Sequence, residues 1–129
     1  MAATTDLTDL LRTMQPDLHA EPYGFAVAPS GHAAPGGFAR ICEAEGLTVI
    51  ATLSELEQMG LSAPQPWARI SLTVHSDLAA VGLTAAFARA LAEVGISANV
   101  VAGFYHDHIF VPWDRRHDAL LALKDLSNA

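Results

Sequence analysis

The chain has 129 residues, 51% hydrophobic and 16% charged, enough to fill the core of one compact domain or of two very small ones. Its formal net charge of −7 argues against nucleic-acid binding, because phosphate backbones are also negative. A single cysteine excludes an internal disulfide and fits a reducing compartment. The start lacks a signal-peptide pattern, and no apolar run approaches the roughly 20 residues that span a bilayer. We therefore expect a soluble, cytoplasmic protein without membrane contacts.

Two helices are predicted in the first half of the chain. The first has apolar residues at helical spacing, namely Leu7, Leu10, Leu11 and Met14. The second follows Thr52, with Glu55 three residues later in a capping-box pattern. Gly60 is expected to end it in a left-handed conformation.

Three strands are predicted between these helices, at Tyr23–Ala28, Phe38–Ala44 and Leu47–Ala51. The last two form a hairpin across Glu45-Gly46. Cys42 lies inside the second strand and is interpreted as a buried structural thiol. A segment rich in Gly, Pro and Ala separates the first strand from the hairpin and predicts a loop.

Residues 63–66 form a short proline-containing connector and are the predicted boundary between two units. The N-terminal unit spans residues 1–62 and the C-terminal unit residues 67–129. The two have similar elements in a different order, without a residue-level repeat.

The second half predicts strand, helix, strand, strand and helix. Trp67 to His75 alternates between apolar and mostly polar residues, which is typical of a strand with one buried face. An apolar stripe runs from Gly82 to Gly95 at helical spacing. A strand from Ile96 then leads to a turn at Tyr105-His106-Asp107, a strand from His108 to Pro112 and a last helix. This order favours an α+β, ferredoxin-like fold, with an antiparallel sheet and helices packed on one face.

The stretch VGLTAAFARALAEVGISANVV resembles the ACT domain, a small regulatory module that binds amino acids in many metabolic enzymes. The longer pattern, including ISANVVAGFYHDHIFVP, is similar to small free-standing bacterial proteins of two ACT-like units. These are similar in arrangement to the paired ACT units of aspartate kinases. The resemblance implies ACT-like βαββα units, side by side or sharing strands, in a continuous antiparallel sheet.

A ligand site is predicted at the start of the Gly82 helix. A helix N-terminus offers unpaired backbone N–H groups and partial positive charge, which suit a free carboxylate. Asp77 can receive the amino group, and the Thr84 hydroxyl adds a hydrogen bond. Ordinary capping and close packing are the alternative reading of the same residues. The resemblance also points to this loop and to Asn99, although many ACT units have proline where Val81 precedes Gly82. The predicted ligand-binding residues are Asp77, Val81, Gly82, Leu83, Thr84 and Asn99.

A possible secondary site comprises His75, His106, Asp107 and His108. Imidazole and carboxylate groups suit a zinc-like ion, and His106 and His108 share a face if the segment is extended. However, the segment is predicted to turn, with Asp107 closing its own backbone, so we expect no metal and no cofactor.

The expected function is therefore regulatory binding of a small molecule, most plausibly an amino acid, by a non-catalytic homodimer. One alternative is an assembly or interaction module that binds no ligand. The other is a metal-dependent enzyme that uses His106 and His108. Motifs for a nucleophile or a phosphate-binding loop are absent from the sequence.

Overall fold

The computed structural model describes residues 6–29, 36–73 and 81–128 and divides the chain into two compact units. The larger unit is discontinuous in sequence, formed by Met1–His19 and Ala68–Ala129, and the smaller unit is Ala20–Trp67. The predicted domain division at residues 63–66 stays a prediction.

The larger unit has a βαββα core to which the N-terminal segment adds a helix and a strand. The N-terminal elements are helix α1 (Leu7–Thr13) and strand β1 (Pro16–Leu18). The core elements are β5 (Trp67–Leu72), α3 (Leu83–Glu93), β6 (Asn99–Ala102), β7 (Asp107–Pro112) and α4 (Arg116–Ser127), with a 3₁₀ turn at Trp113–Arg115. Trp67 itself belongs to the smaller unit.

In the larger unit the strand order is β1-β5-β7-β6, with antiparallel pairing of β1 to β5 and of β6 to β7. Alternate residues of β5 and β7 enter a core that includes Phe87 and Leu91 of α3, Ala119 and Leu123 of α4, and Leu10 of α1. All three helices therefore pack on one face of this sheet. We call the opposite face, which has Arg69, Ser71, Asn99 and His108, the outer face.

The smaller unit contains β2 (Tyr23–Ala28), β3 (Ala39–Glu43), β4 (Gly46–Thr52) and α2 (Leu53–Gln58). Strand β4 lies between β3 and β2, and Tyr23 also pairs with Trp67. Helix α2 packs over β2 at Gly24, where an added Cβ would lie 2.6 Å from the Cβ of Ala63 and 2.9 Å from Leu53 and Leu56. A glycine is therefore required at this close approach.

The ferredoxin-like α+β fold predicted from the sequence is confirmed, as is helix packing on one face of the sheet. The capping box of α2 is also confirmed: the Thr52 hydroxyl accepts from the Glu55 N–H, and the Glu55 carboxylate accepts from the Thr52 N–H. Gly60 and Gly95 have φ of +73° and +74°, as expected for residues that end helices.

Two local predictions are wrong, and one strand was missed. Asp107 is not a turn residue but the first residue of β7, paired with Ala102, because the turn lies at residues 103–106. Cys42 is exposed rather than buried, because β3 is the outermost strand of its unit. Strand β1 was not predicted from the sequence.

Substitution of Phe87 by Ala tests the core of the larger unit. Phe87 is fully buried between helices and sheet, so we expect the free energy of unfolding to fall by about 3–5 kcal/mol. Leu121→Ala is the matched control, because Leu121 is 61% exposed on α4 and its loss should change stability by only about 0.5 kcal/mol. Urea unfolding measures both, and equal effects would contradict this core assignment.

Candidate functional site

The N-terminus of α3 is not capped by a side chain. Gly82 is the N-cap residue with φ +97°, and it supplies no side-chain cap hydrogen bond. Its carbonyl accepts the first helical bond, from the Ala86 N–H at 2.9 Å. Leu83 turns into the core, whereas Thr84 is exposed and Val81 is 83% exposed. The first turn of α3 therefore presents backbone N–H groups beside an exposed hydroxyl residue.

Helix α1 closes one side of this helix start. A Cβ added to Gly82 would lie 3.0 Å from Cδ2 of Leu7, and the positive φ already disfavours a side chain. Both constraints act on the same residue, so Gly82 has a packing role in addition to any role in binding.

Asn99 lies on the other side of the sheet. It is exposed in β6 and pairs with Phe110, whereas the next residue, Val100, packs on the core beneath α3. Because neighbouring strand residues point to opposite faces, Asn99 is on the outer face. The helix start and Asn99 of one chain therefore do not face a common small ligand. Asp77 and His75 lie outside the described residues.

A second polar constellation lies on the outer face, across three neighbouring strands. Ser71 Oγ of β5 is 2.8 Å from Nε2 of His19, which follows β1, and 2.7 Å from Nδ1 of His108 in β7. Nη2 of Arg69 lies 3.3 Å from the same Nδ1. Backbone pairing sets this arrangement, since the His19 N–H donates to the Arg69 carbonyl at 2.9 Å.

These contacts define the direction of the hydrogen bonds. A guanidinium only donates, so Nδ1 of His108 is the acceptor and its ring is neutral, with the proton on Nε2. The Ser71 hydroxyl then donates to His108 and accepts from Nε2–H of His19. We call these four residues, His19, Arg69, Ser71 and His108, the imidazole–serine cluster.

Electrostatics agree with a neutral His108. Burial, followed by the positive charge of Arg69 and then by His19 and His106, lowers the pKa of His108 to about 4. Burial and Arg69 also lower the pKa of His19, and Asp17 opposes them. For Asp107, burial raises the pKa of the carboxyl, and the neighbouring His106 opposes this.

Within the described residues, His106, Asp107 and His108 do not form a metal-binding group. His108 contacts a guanidinium and a hydroxyl, and Asp107 lies in the strand rather than in a turn. Over residues 6–29, 36–73 and 81–128, no group of three or more His, Cys, Asp or Glu side chains is placed to hold a metal ion.

Sequence reasoning missed the partners of His108. The available signal was the alternation from Trp67 to His75, in which Arg69 and Ser71 fall on the mostly polar side. His19 gave no signal, because it follows a strand of only three residues.

Two ACT-domain family models match the chain in tandem, one over residues 2–68 and one over residues 62–125. The first alone spans more than half of the sequence. The chain belongs to the ACT-domain family. ACT domains are typically regulatory units that bind small molecules, and they commonly dimerise. A search of curated proteins found no significant match.

Solved structures agree with the family assignment. A Vibrio cholerae protein of unknown function, described as a possible transport protein, is 44% identical, with a TM-score of 0.82 over 94% of this chain and 95% of its own. An Agrobacterium tumefaciens protein is 19% identical, with a TM-score of 0.73 and coverage of 88% and 89%. The ligand-free regulatory subunit of aspartate kinase from Thermus thermophilus is 13% identical, with a TM-score of 0.64 and coverage of 90% and 97%. At such identities the last two show similarity of fold alone.

Within the described part of the chain, every helix is too short or too polar to cross a bilayer.

The His108 ring makes stability depend on pH. Its pKa is about 4 in the folded chain against an ordinary 6.5, so the unfolded state binds more protons between these values. The contribution of His108 is complete above pH 6.5 and is lost as the pH falls towards 4. We expect His108→Gln to reduce the loss of stability across this window by on the order of 2 kcal/mol, a figure discounted for partial exposure.

Urea unfolding at a series of pH values measures this slope. His117→Gln is the control, since His117 is exposed on α4 and should leave the slope unchanged. An unaltered slope in His108→Gln would show that this ring is not the titrating group.

Proposed function

We propose that this ACT-domain protein is a non-catalytic regulator that binds a small α-amino acid at the start of α3. The observation that supports this most is the start of α3 at Gly82. It has backbone N–H groups without a side-chain cap and a positive φ that favours glycine, and Val81 and Thr84 nearby are exposed. This arrangement is suited to a carboxylate, because the helix dipole and the N–H groups act on the same negative charge.

The amino group of the ligand requires an acceptor near this helix start. We propose Asp77 for this role on its position in the sequence, five residues before Gly82. With a carboxylate partner for the ammonium group and backbone partners for the carboxylate, the site would distinguish amino acids from simple acids.

Asn99 would act from a second copy of the chain. It is exposed on β6, the outermost strand in the order of the larger unit, and faces away from its own α3. A homodimer that places Asn99 of one copy near the α3 start of the other would complete the site. The proposal therefore couples ligand binding to subunit association.

The structural neighbours agree with a regulatory role at the level of fold. The Thermus thermophilus neighbour of similar fold is the regulatory subunit of an aspartate kinase. We do not infer the ligand of this chain from that neighbour, because an identity of 13% shows only a shared fold.

A thermal-shift screen of the proteinogenic amino acids tests the proposed function. A ligand at 100 times its Kd should add roughly 2.7 kcal/mol of stability, and we expect one amino acid or a few related ones to raise the melting temperature. If none raises it at millimolar concentration, amino-acid binding is excluded and the assembly-module alternative is favoured.

Variants of exposed residues locate the site. Thr84→Ala and Asn99→Ala should fold normally, because both side chains are exposed, and should weaken binding of the identified amino acid by about 1 kcal/mol each through a lost hydrogen bond. Thr8→Ala is the matched control on the exposed surface of α1. Calorimetric titration reports the affinities, and wild-type affinity in both site variants would place the ligand elsewhere.

A further inference from the structure

The imidazole–serine cluster brings hydrogen-bond donors from three strands to one point. Ser71 Oγ is at the centre, within 2.8 Å of one imidazole and 2.7 Å of the other, and Arg69 Nη2 approaches from 3.3 Å. Ser71 is 7% exposed, whereas His19, Arg69 and His108 each keep part of their surface exposed. The hydroxyl therefore lies at the buried centre of the cluster, and three partly exposed residues surround it.

The charge on Arg69 of this cluster is opposite in sign to the net charge of the protein. The chain has 7 Lys and Arg against 14 Asp and Glu, yet one arginine and two histidines meet here. The charged and titratable groups that act on the two rings are Arg69 from β5, Asp17 from β1 and His106 before β7, and His19 also acts on His108. Arg69 disfavours a proton on both rings, so the positive charge of the cluster is that of its guanidinium.

We propose that the imidazole–serine cluster is a proton-coupled binding site for an oxyanion, the carboxylate or phosphate-type group of a small ligand. Arg69 supplies a permanent charge and a forked donor that matches two oxygens. The two imidazoles supply further donors when protonated, and the buried hydroxyl can reorient to donate to an anion.

Binding at this site takes up a proton. In the free protein Nδ1 of His108 is an acceptor, so it cannot donate to an anion until the ring is protonated. An anion beside the ring stabilises the imidazolium, which raises the His108 pKa and couples affinity to pH. Affinity therefore increases as the pH falls from neutrality towards the pKa of the free ring.

This site is separate from the proposed amino-acid site. The cluster lies on the outer face, whereas the start of α3 belongs to the face covered by helices. The inference does not depend on the proposed function, and either can fail alone.

Histidine-ring NMR titration of the full chain tests the proposal, with sodium acetate and sodium sulfate as probes and sodium chloride at equal ionic strength as the reference. We expect acetate, sulfate or both to raise the ring pKa of His108 by about one unit or more. If that shift is one unit from a free-ring pKa of about 4, the dissociation constant for the ionised anion should fall about fivefold from pH 6 to pH 4 and change little between pH 6 and pH 7. A response to acetate alone assigns a carboxylate ligand, and a response to sulfate assigns a tetrahedral oxyanion.

Arg69→Gln should abolish the response, and Arg69→Lys should restore part of it by returning the charge without the fork. Arg89→Gln is the control, because Arg89 is exposed on α3 in an ion pair with Glu93 and should respond like the wild type. The proposal is overturned if neither anion shifts the His108 pKa relative to chloride, or if Arg69→Gln retains the full shift. Should Arg69→Gln fail to fold, the wild-type titration decides alone.

Discussion

The alternation of side chains along β5 is the constraint on which the larger unit depends. Ala68, Ile70 and Leu72 are fully buried in the core beneath the helices, whereas Arg69 and Ser71 point to the outer face. A shift by one residue would put a guanidinium and a hydroxyl into the apolar core, at a cost of several kcal/mol for an unpaired charge. The register of β5 is therefore strongly specified by its own sequence.

Both candidate sites follow from this register. With its apolar face towards the helices, β5 precedes Gly82 and the start of α3 in the chain. With its polar face outward, it places Ser71 between His19 and His108 on neighbouring strands. The neutral state of His108 results from the same geometry, because burial and Arg69 act on the ring together. Strand β5 thus lies between two candidate sites. The start of α3 offers backbone groups, and the imidazole–serine cluster offers side chains.

Local patterns allowed prediction of the fold and of one candidate site. The Thr52–Glu55 capping box and the glycine-bounded α3 depend on residues close in sequence, so they were readable. The imidazole–serine cluster could not be predicted in this way, because His19 and Ser71 are 52 residues apart and meet only through pairing of β1 with β5. Asp107 was misplaced because turn propensity competed with strand pairing, and the pairing with Ala102 prevailed. A single sequence does not show which distant strands pair or in which register.

We propose that the start of α3 receives the carboxylate of an amino acid through its backbone N–H groups. A crystal structure of the protein soaked with a mixture of amino acids would show this contact. We predict density for one amino acid, with its carboxylate within hydrogen-bonding distance of backbone N–H groups between Leu83 and Ala86, and with Asn99 of a second copy nearby. An ordered amino acid bound at a different place, with the start of α3 occupied by water alone, would contradict it.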